Sequence, residues 1–351
     1  MKKFRLSFVG DIFPGNLIYN VGFGVASNFL KHNGCKWDSQ LKDILTNSDI
    51  VFGNLESPLV FDEKYSHHNS FAGHLNFANF LKRNEVKIVS IANNHILEHG
   101  IDGFKDTCRI LKNNKIKYIG LDKGKYSNIK ILERNNIKVG FCAFNAIDDI
   151  DNPEMYAELN EDILFSTIDK LNKINLDYRI VSLHWGDEYI HYPSESQIDL
   201  AHKIIDSNID IIVGHHPHVV QPIENYRNGL IFYSLGNFLF DMIWSNKVRF
   251  GIVANIEFKK FNYNYRVKPI RLSNNYGPIL YPKYYKKLNK ILKNHTKHLN
   301  KRNYINYIFI KRLSKIKERI LMKKYLFTNW SKISRKSKIK FINRIKGHIL
   351  G

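Results

Sequence analysis

The sequence has few cysteines and no long apolar run, and each shortage excludes a class of protein. Its three cysteines, Cys35, Cys108 and Cys142, are an odd number without a paired spacing, which argues against a disulfide framework or a cysteine-based zinc site. The most apolar stretch, residues 230–244, is interrupted by polar side chains, so we expect no membrane-spanning helix. A metal site in this chain would have to use histidine and oxygen ligands.

Acidic residues are scarce at the end of the chain. Residues 281–351 hold 22 of the 54 lysines and arginines but only one of the 32 acids, Glu318, so this segment carries +21 and residues 1–280 carry +1. We therefore expect a nearly neutral domain, residues 1–280, and a basic helical tail, residues 281–351. The basic start of the chain is followed by a short apolar run that Asp11 closes, which indicates a first core strand rather than a signal peptide.

Short runs rich in Val, Ile and Phe alternate with helical patterns, which predicts an α/β domain with a buried sheet. The predicted strands are residues 6–9, 50–52, 87–91, 138–141, 180–183, 210–213 and 230–233. The predicted helices are residues 37–46, 75–84, 101–113, 162–174 and 195–207. Because ligand sites of α/β sheets gather at the carboxyl ends of strands, the polar residues that follow these strands are expected to share one site.

The polar segment His216-Pro217-His218 is the strongest local signal, and we read it as extended, with the proline fixing the backbone. With His184 it offers three imidazoles, and Asp11 and Glu56 add hard oxygens. Such a mixed set suits zinc, manganese or iron, and two such ions would clamp a displacement at phosphorus. A Gly-Asp or Asn-Asn-His segment alone is more often a turn, so the prediction depends on the combination.

The ordered motifs resemble the CapA family of bacterial capsule synthesis proteins, which are related to calcineurin-like metallophosphatases. They are Gly-Asp at 10–11, Asn-Leu-Glu-Ser-Pro at 54–58, Ala-Asn-Asn-His at 92–95, His-Trp-Gly-Asp-Glu-Tyr at 184–189, Gly-His-His-Pro-His at 214–218 and Ser-Leu-Gly-Asn-Phe at 234–238. The resemblance implies a metallophosphatase-like fold, a four-layer αββα sandwich, and substrates such as poly-gamma-glutamate or another capsule polymer.

The same resemblance implies roles for individual residues. Asp11 is expected to be the first metal ligand, Glu56 the bridging carboxylate and Asn94 a ligand amide, and His95 is expected to give a proton to the leaving group. His184, His216 and His218 would complete the shells of two divalent ions.

This chain departs from the ordinary metallophosphatase pattern at three positions. Phe13 stands where those enzymes have the histidine of Asp-x-His, so one of the two ions is expected to bind more loosely. Glu56 is one methylene longer than the usual aspartate, and Glu98 stands where the family often has aspartate.

Further polar and aromatic residues are expected around the site. Glu188 and Glu224 are candidates for orienting metal-bound imidazoles. Asn237 and Asp241 could line the pocket or serve in turns. The remaining candidates are neighbours of the predicted ligands: Asn54, Asn93, His215 and Trp185, the last as a wall of the pocket.

In the tail, Phe309, Leu313, Ile316 and Ile320 recur at helical spacing among lysines and arginines. An apolar stripe edged by cations is typical of a helix that lies on an anionic membrane surface. The stripe could equally pack on the domain, or the tail could bind an anionic polymer. We find no base-reading motif and expect no specific recognition of nucleic acid.

Two functions follow from these patterns. The first is a metal-dependent phosphoesterase-like hydrolase of capsule or exopolymer synthesis, acting on a phosphoester or an anionic polymer. The second is a non-catalytic, membrane-docked component of a polymer synthesis or export complex. We expect a cytoplasmic location, with a peripheral position at the inner face of the membrane open to the tail.

Overall fold

The computed structural model describes residues 3–18, 20–32, 34–61, 70–147, 154–286, 288–292, 304–333, 335, 338–339 and 342. Its helices are α1 Val25–His32, α2 Ser39–Thr46, α3 Asn76–Arg83, α4 Gly100–Asn113, α5 Glu161–Lys173, α6 Glu195–Asp206 and α7 Tyr304–Thr328. Its strands are β1 Phe4–Ile12, β2 Ile50–Leu55, β3 Leu59–Val60, β4 Gly73–His74, β5 Val86–Ser90, β6 Lys117–Ile119, β7 Lys130–Arg134, β8 Ile137–Asn145, β9 Tyr178–His184, β10 Ile211–His215, β11 Ile223–Tyr226, β12 Gly229–Phe232, β13 Asn237–Leu239, β14 Phe250–Phe258, β15 Tyr263–Leu272 and β16 Pro278–Leu280.

Two large sheets form the centre of the domain. The first has the order β16-β15-β14-β1-β2-β5-β6, with β13 also paired to β1. Strands β1, β2, β5 and β6 are parallel in it, and β14 to β16 extend it as antiparallel strands. The second has the order β11-β12-β10-β9-β8-β7, with a parallel centre and antiparallel edges. Each sheet therefore presents several parallel carboxyl ends at one edge.

The sheets pack face to face, and helices cover their outer faces. Phe52 of the first sheet and Phe141 of the second stack with ring centroids 6.1 Å apart in the shared core. Helices α2, α3 and α4 contact strands of the first sheet, whereas α5 and α6 contact β8 and β10 of the second. The order helix, sheet, sheet, helix confirms the predicted α/β four-layer sandwich.

Local sequence explains where several helices begin. Asn160 accepts hydrogen bonds from the backbone of Asp162 and Ile163 at the start of α5. Ser194 and Gln197 form a capping box at the start of α6. The five predicted helices match α2 to α6 to within two residues at each end, because their apolar periodicity and capping residues are local signals.

The tail contributes the long helix α7, of 25 residues. Residues 293–303 and most of those after Ile333 lie outside the described ones. Of the predicted basic helical tail, the structure therefore describes mainly the helix α7. The strand β16 ends at Leu280, and Tyr284 and Leu288 beyond it are buried in the main core. None of the helices in the described ranges combines the length and the apolar character needed to cross a membrane.

Candidate metal centre

The predicted ligands lie where the carboxyl ends of parallel strands from both sheets meet. Asp11 on β1 is in register with Asn54 on β2 and with Asn237 on β13. In the second sheet, His215 on β10 is in register with His184 on β9. The strands approach closely because Gly10 has no side chain: a Cβ there would lie 1.7 Å from the carbonyl oxygen of Gly236.

Five of the six predicted ligands form two overlapping groups of three. In one, ligand atoms of Asp11, Glu56 and His218 lie within 4.8 Å of one another, and in the other those of Glu56, His184 and His216 do so. All five residues are buried. We call these the Asp11 trio and the His184 trio. Because both contain Glu56, the arrangement matches two ion positions that share one carboxylate.

Buried atoms without hydrogen-bond partners test whether a metal fits here. Among the described residues, Glu56 Oε1, His216 Nδ1 and His218 Nε2 are fully buried and have no such partner. Buried polar atoms are nearly always paired, so three unpaired atoms on residues of the two trios fit a site that takes a cation. Carboxylate oxygen and imidazole nitrogen are ligands that zinc, manganese and iron accept. The residues present therefore fit divalent metal.

The hydrogen bonds around the trios orient their ligands. Asn237 Oδ1 lies 3.0 Å from His218 Nδ1, which fixes the ring so that Nε2 points toward Glu56 Oε1, 3.5 Å away. His184 Nε2 lies 3.0 Å from Asn94 Oδ1 and 4.0 Å from Glu56 Oε1. The amide of Asn94, the sixth predicted ligand, thus lies beside the His184 trio.

Asn54 ties the two trios together. Its Nδ2 lies 3.0 Å from Asp11 Oδ1, 3.2 Å from Glu56 Oε2 and 3.2 Å from His184 Nδ1. Asn93 Nδ2 in turn donates to Asn54 Oδ1 at 3.1 Å. The two asparagines predicted as neighbours of the ligands therefore hold them in place.

The segment of His216 and His218 is a bend and not the extended stretch that the sequence predicts. Both histidines have left-handed backbone angles, with φ of 92° and 55°. For residues other than glycine this conformation is strained and is found mostly at functional sites. The bend sends His216 to the His184 trio and His218 to the Asp11 trio, so one short segment serves both positions.

The electrostatics of the cluster favour ligands that are ready for a cation. Burial and the nearby imidazole of His216 hold the pKa of His184 well below its ordinary value, and burial also lowers that of His216. Both rings are therefore neutral, as metal binding requires. Burial alone would raise the pKa of Asp11, but its contacts with His215 and His218 hold it well below the usual range.

Glu56, the carboxylate that both trios share, has a strongly raised pKa. Burial, and then the negative charge of Asp11, raise its pKa well above the ordinary value. The pKa of His218 is raised as well, but from different causes: burial would lower it, and the contact with Asp11 raises it. Asp11, Glu56 and His218 would hold a divalent ion, which would supply positive charge that offsets the repulsion between the two carboxylates.

His95, the predicted proton donor, lies beside the cluster and is held by two neighbours. Its Nδ1 is 2.9 Å from Glu98 Oε1, and its ring packs on Phe71 with centroids 4.7 Å apart. Its charge contributes to the lowered pKa of His216, which places it near the His184 trio. Glu98, which stands where the family often has aspartate, thus holds the His95 ring through this contact.

Two further predicted residues lie next to the ligands. His215 Nδ1 is 3.2 Å from Asp11 Oδ1, so this histidine contacts the Asp11 carboxylate directly. The charge of Glu188, in the loop after β9, is among the smaller causes that raise the pKa of Glu56 and that of His218.

Three predicted residues are not brought to the site. The indole of Trp185 is buried in the core behind the second sheet, where it stacks on Tyr233 and donates to its carbonyl oxygen. Successive side chains of a strand point to opposite faces, so the residue after His184 turns away from the ligands. Glu224 instead contacts His202 Nε2 at 3.1 Å and accepts from Tyr233 Oη at 2.8 Å.

Asp241 is the third of these residues. Its Oδ2 accepts a hydrogen bond of 2.9 Å from the backbone N–H of Leu17, and its carbonyl oxygen accepts one from Asn20. It therefore holds the loop after β1. Of the two roles considered for Asp241, lining the pocket or serving in a turn, this contact is of the structural kind.

Phe13 occupies an apolar pocket beside the Asp11 trio. Its ring stacks on Phe240 with centroids 4.5 Å apart, and Phe240 in turn lies 4.8 Å from the ring of His218. The position that carries a histidine in ordinary metallophosphatases is thus closed by aromatic packing, and His218 is buttressed by it.

Comparison with known proteins follows the same motifs. The family model described as bacterial capsule synthesis protein PGA_cap matches residues 5–242. The chain belongs to this family. The chain is also 32% identical over 260 residues to the capsule biosynthesis protein CapA of Bacillus anthracis. The matched region covers 70% of this chain and 61% of that protein. The chain is 31% identical over 273 residues to the PGA biosynthesis protein CapA of Bacillus subtilis, covering 72% and 67%.

The CapA resemblance read from the motifs is thereby confirmed. The chain spans about three fifths to two thirds of the length of these two relatives. Among solved structures, it is similar to a phosphatase from Mycoplasma pneumoniae, with a TM-score of 0.48 and 15% identity, covering 82% of this chain and 97% of that one.

One residue near the site, Lys315, lies in a part of the chain where no motif predicted a site residue. Lys315 of α7 is among the charges that lower the pKa of His216, after burial and the nearer histidines. It is one of 22 basic residues in the tail, and no pattern distinguishes it from the others.

Proposed function

We propose that this PGA_cap chain is a metal-dependent hydrolase of the metallophosphatase kind that cleaves a phosphoester or related bond in capsule or exopolymer synthesis. The observation that carries the proposal is the pair of buried trios that share Glu56, three of whose ligand residues each have a buried atom without a hydrogen-bond partner among the described residues. Family membership supports the pathway, since the two Bacillus relatives are named for capsule and PGA biosynthesis. The buried cluster supports the chemistry.

The residues divide the work of such a reaction between them. Asp11, Glu56, Asn94 and the three histidines would hold two divalent ions, with manganese, zinc and iron as the candidates. When bound, such ions polarise the phosphoryl group and offset the negative charge that develops on it. His95 lies at the edge of the cluster and holds a proton for the departing oxygen, while Glu98 keeps its ring in place.

Metal content and hydrolysis test this proposal together. We expect the full chain to bind about two divalent ions, measured by plasma mass spectrometry, and to hydrolyse p-nitrophenyl phosphate. His95→Asn should keep the metal and lower kcat about 10²- to 10⁴-fold, the usual contribution of a general acid. His99→Asn is the matched control, because His99 Nε2 contacts the carbonyl oxygen of Ser70 at 2.9 Å. A metal-free protein, or an unchanged kcat in His95→Asn, would contradict the proposal.

One observation favours the second function, a non-catalytic component of a polymer synthesis or export complex. Phe13 fills a ligand position with a buried ring that stacks on Phe240, so the Asp11 trio lacks one ligand of an ordinary phosphatase. A protein that binds metal at the His184 trio and hydrolyses nothing would support this second function over the first.

We further propose that the protein is held at an anionic membrane surface by one face of α7. Phe309, Leu313, Ile316, Ile320 and Phe327 of this helix are between 50% and 65% exposed. Their spacing of four, three, four and seven residues puts them on one side of the helix. The exposure of these side chains supports the membrane surface over the alternative that the stripe packs on the domain.

Cations border the exposed stripe on both sides, which favours an anionic lipid surface over an apolar protein partner. By helical position, Arg312, Arg319 and Lys323 lie along one edge and Lys317 and Lys324 along the other. The apolar side chains would enter the headgroup region while the cations meet lipid phosphates.

Vesicle binding separates this proposal from capture of an anionic polymer. We expect sedimentation with phosphatidylglycerol vesicles at low salt and little with neutral vesicles. Changing Leu313, Ile316 and Ile320 together to Ser should abolish sedimentation, whereas Phe261→Ser, at a ring 93% exposed elsewhere on the domain, should not. If the triple variant sediments normally, charge alone explains the attraction and an anionic polymer becomes the better partner.

A further inference from the structure

The face of α7 opposite the exposed stripe is attached to the loop that follows a metal-ligand strand. Tyr307 Oη donates to Asp187 Oδ2 at 2.9 Å, and Lys311 Nζ lies 2.7 Å from Asp187 Oδ1. Asp187 comes three residues after His184, and the charge of its neighbour Glu188 contributes to the raised pKa of Glu56. The tail helix is therefore fixed beside the centre.

A second attachment holds the same face to the loop after β13. Glu318, the one acid of the tail, is buried and accepts hydrogen bonds from Trp244 Nε1 at 3.1 Å and Ser245 Oγ at 2.7 Å. Lys247 Nζ donates to Ser314 Oγ at 3.3 Å. Since removing a partner from a buried charge is costly, Glu318 fixes the position of α7 along the domain.

Lys315 lies between these two attachments and differs from the other cations of this face. It is partly buried and comes four residues after Lys311, so it points toward the same side of the helix. Within the ranges that the structure describes, no hydrogen bond or ion pair involves its ammonium group, whereas Lys311 of the same face is paired with Asp187. Its charge reaches His216 of the His184 trio.

We propose that Lys315 binds an anionic group of the substrate, a phosphoryl oxygen, next to the His184 trio. This inference rests on the proposed function and adds a substrate-binding residue from outside the region that the family model matches, residues 5–242. A partly buried ammonium without a partner gains much from an anion, because little water competes for it there. On the same face of the helix, Lys311 is paired with Asp187, whereas the ammonium group of Lys315 is available to a ligand.

The test measures phosphate binding and not turnover. Inorganic phosphate is titrated by calorimetry into full-length, manganese-loaded protein, and bound metal is counted in the same sample. Lys315→Gln should weaken phosphate binding about tenfold or more and leave the metal content unchanged. Lys315→Arg should retain most of the affinity, because the positive charge remains. Lys317→Gln, at an exposed cation of the same helix, is the matched control and should bind phosphate as the unchanged protein does.

The outcomes separate this inference from the proposed function. If Lys315→Gln binds metal and phosphate like the unchanged protein, the inference is wrong and the metal centre stands. If Lys315→Gln and Lys317→Gln weaken binding equally, the effect is general attraction by the basic tail, and the specific role of Lys315 is overturned. If the unchanged protein takes up neither metal nor phosphate, the proposed function fails, and the inference fails with it.

Discussion

Glu56 and Asp241 are both fully buried carboxylates, yet their surroundings assign them different roles. Burial raises the pKa of each, and each has one oxygen without a hydrogen-bond partner among the described residues. Around Glu56 stand Asp11 and three imidazoles, whereas Asp241 meets a backbone N–H and one asparagine. Burial and a raised pKa thus do not define a metal site, and several converging lone pairs do.

The largest effect that would test this contrast is expected from Glu56→Gln. The variant removes the carboxylate that both trios share, so both ions should be lost and metal affinity should fall by about 100-fold or more. Equilibrium dialysis followed by plasma mass spectrometry measures this. If the variant keeps a full complement of metal, the shared role of Glu56 is wrong.

A smaller effect is expected from the two histidines of the bend, taken one at a time. His216→Ala removes a ligand of the His184 trio and His218→Ala one of the Asp11 trio, so each variant should lose about one ion and keep the other. Counting bound ions per chain measures this. Equal loss of both ions in both variants would show that the two positions fill only together.

The smallest effect is expected from Asp241→Asn. Burial raises the pKa of Asp241 from 3.8 to about 7, so the folded state holds its proton where the unfolded state releases it. The native protein is therefore most favoured below about pH 4, loses stability as the pH rises to about 7, and loses no more above that. Asp241→Asn lacks this loss and should be more stable at pH 7.5 by up to about 4 kcal/mol.

Thermal melts of the Asp241→Asn variant and the unchanged protein at pH 5 and pH 7.5 measure this difference. The stabilisation should be larger at pH 7.5, and the metal content should be the same at both. Loss of metal in Asp241→Asn would place this residue at the centre after all and remove the contrast with Glu56.

The fold was largely predictable because its signals are local. The periodicity of α2 to α6 and the apolar runs of the central strands needed no tertiary information. The hairpin of β14 and β15 was missed, since β15 alternates polar and apolar residues at an edge and lies beyond the strongest motifs. Helix α1, eight residues without an acid in its first turn, was missed too.

The site residues were predictable where the position of a residue along a strand determines the face to which its side chain points. His184 and Trp185 are adjacent in the sequence, and strand alternation sends one to the ligands and the other to the core. Glu224 and Asp241 follow strands as the ligands do, but the partners that they take, His202 and the Leu17 amide, come from distant segments. No local pattern distinguishes them from the candidate ligands of the two trios, and none identifies Lys315.

The left-handed backbone of His216 and His218 has a consequence for how the centre fills. Such angles cost on the order of 1–3 kcal/mol each, and here the folded chain bears that cost before any ion arrives. Ions then meet a preorganised bend and lose little affinity to chain ordering. The cost of shaping the site is then met on folding and not on binding.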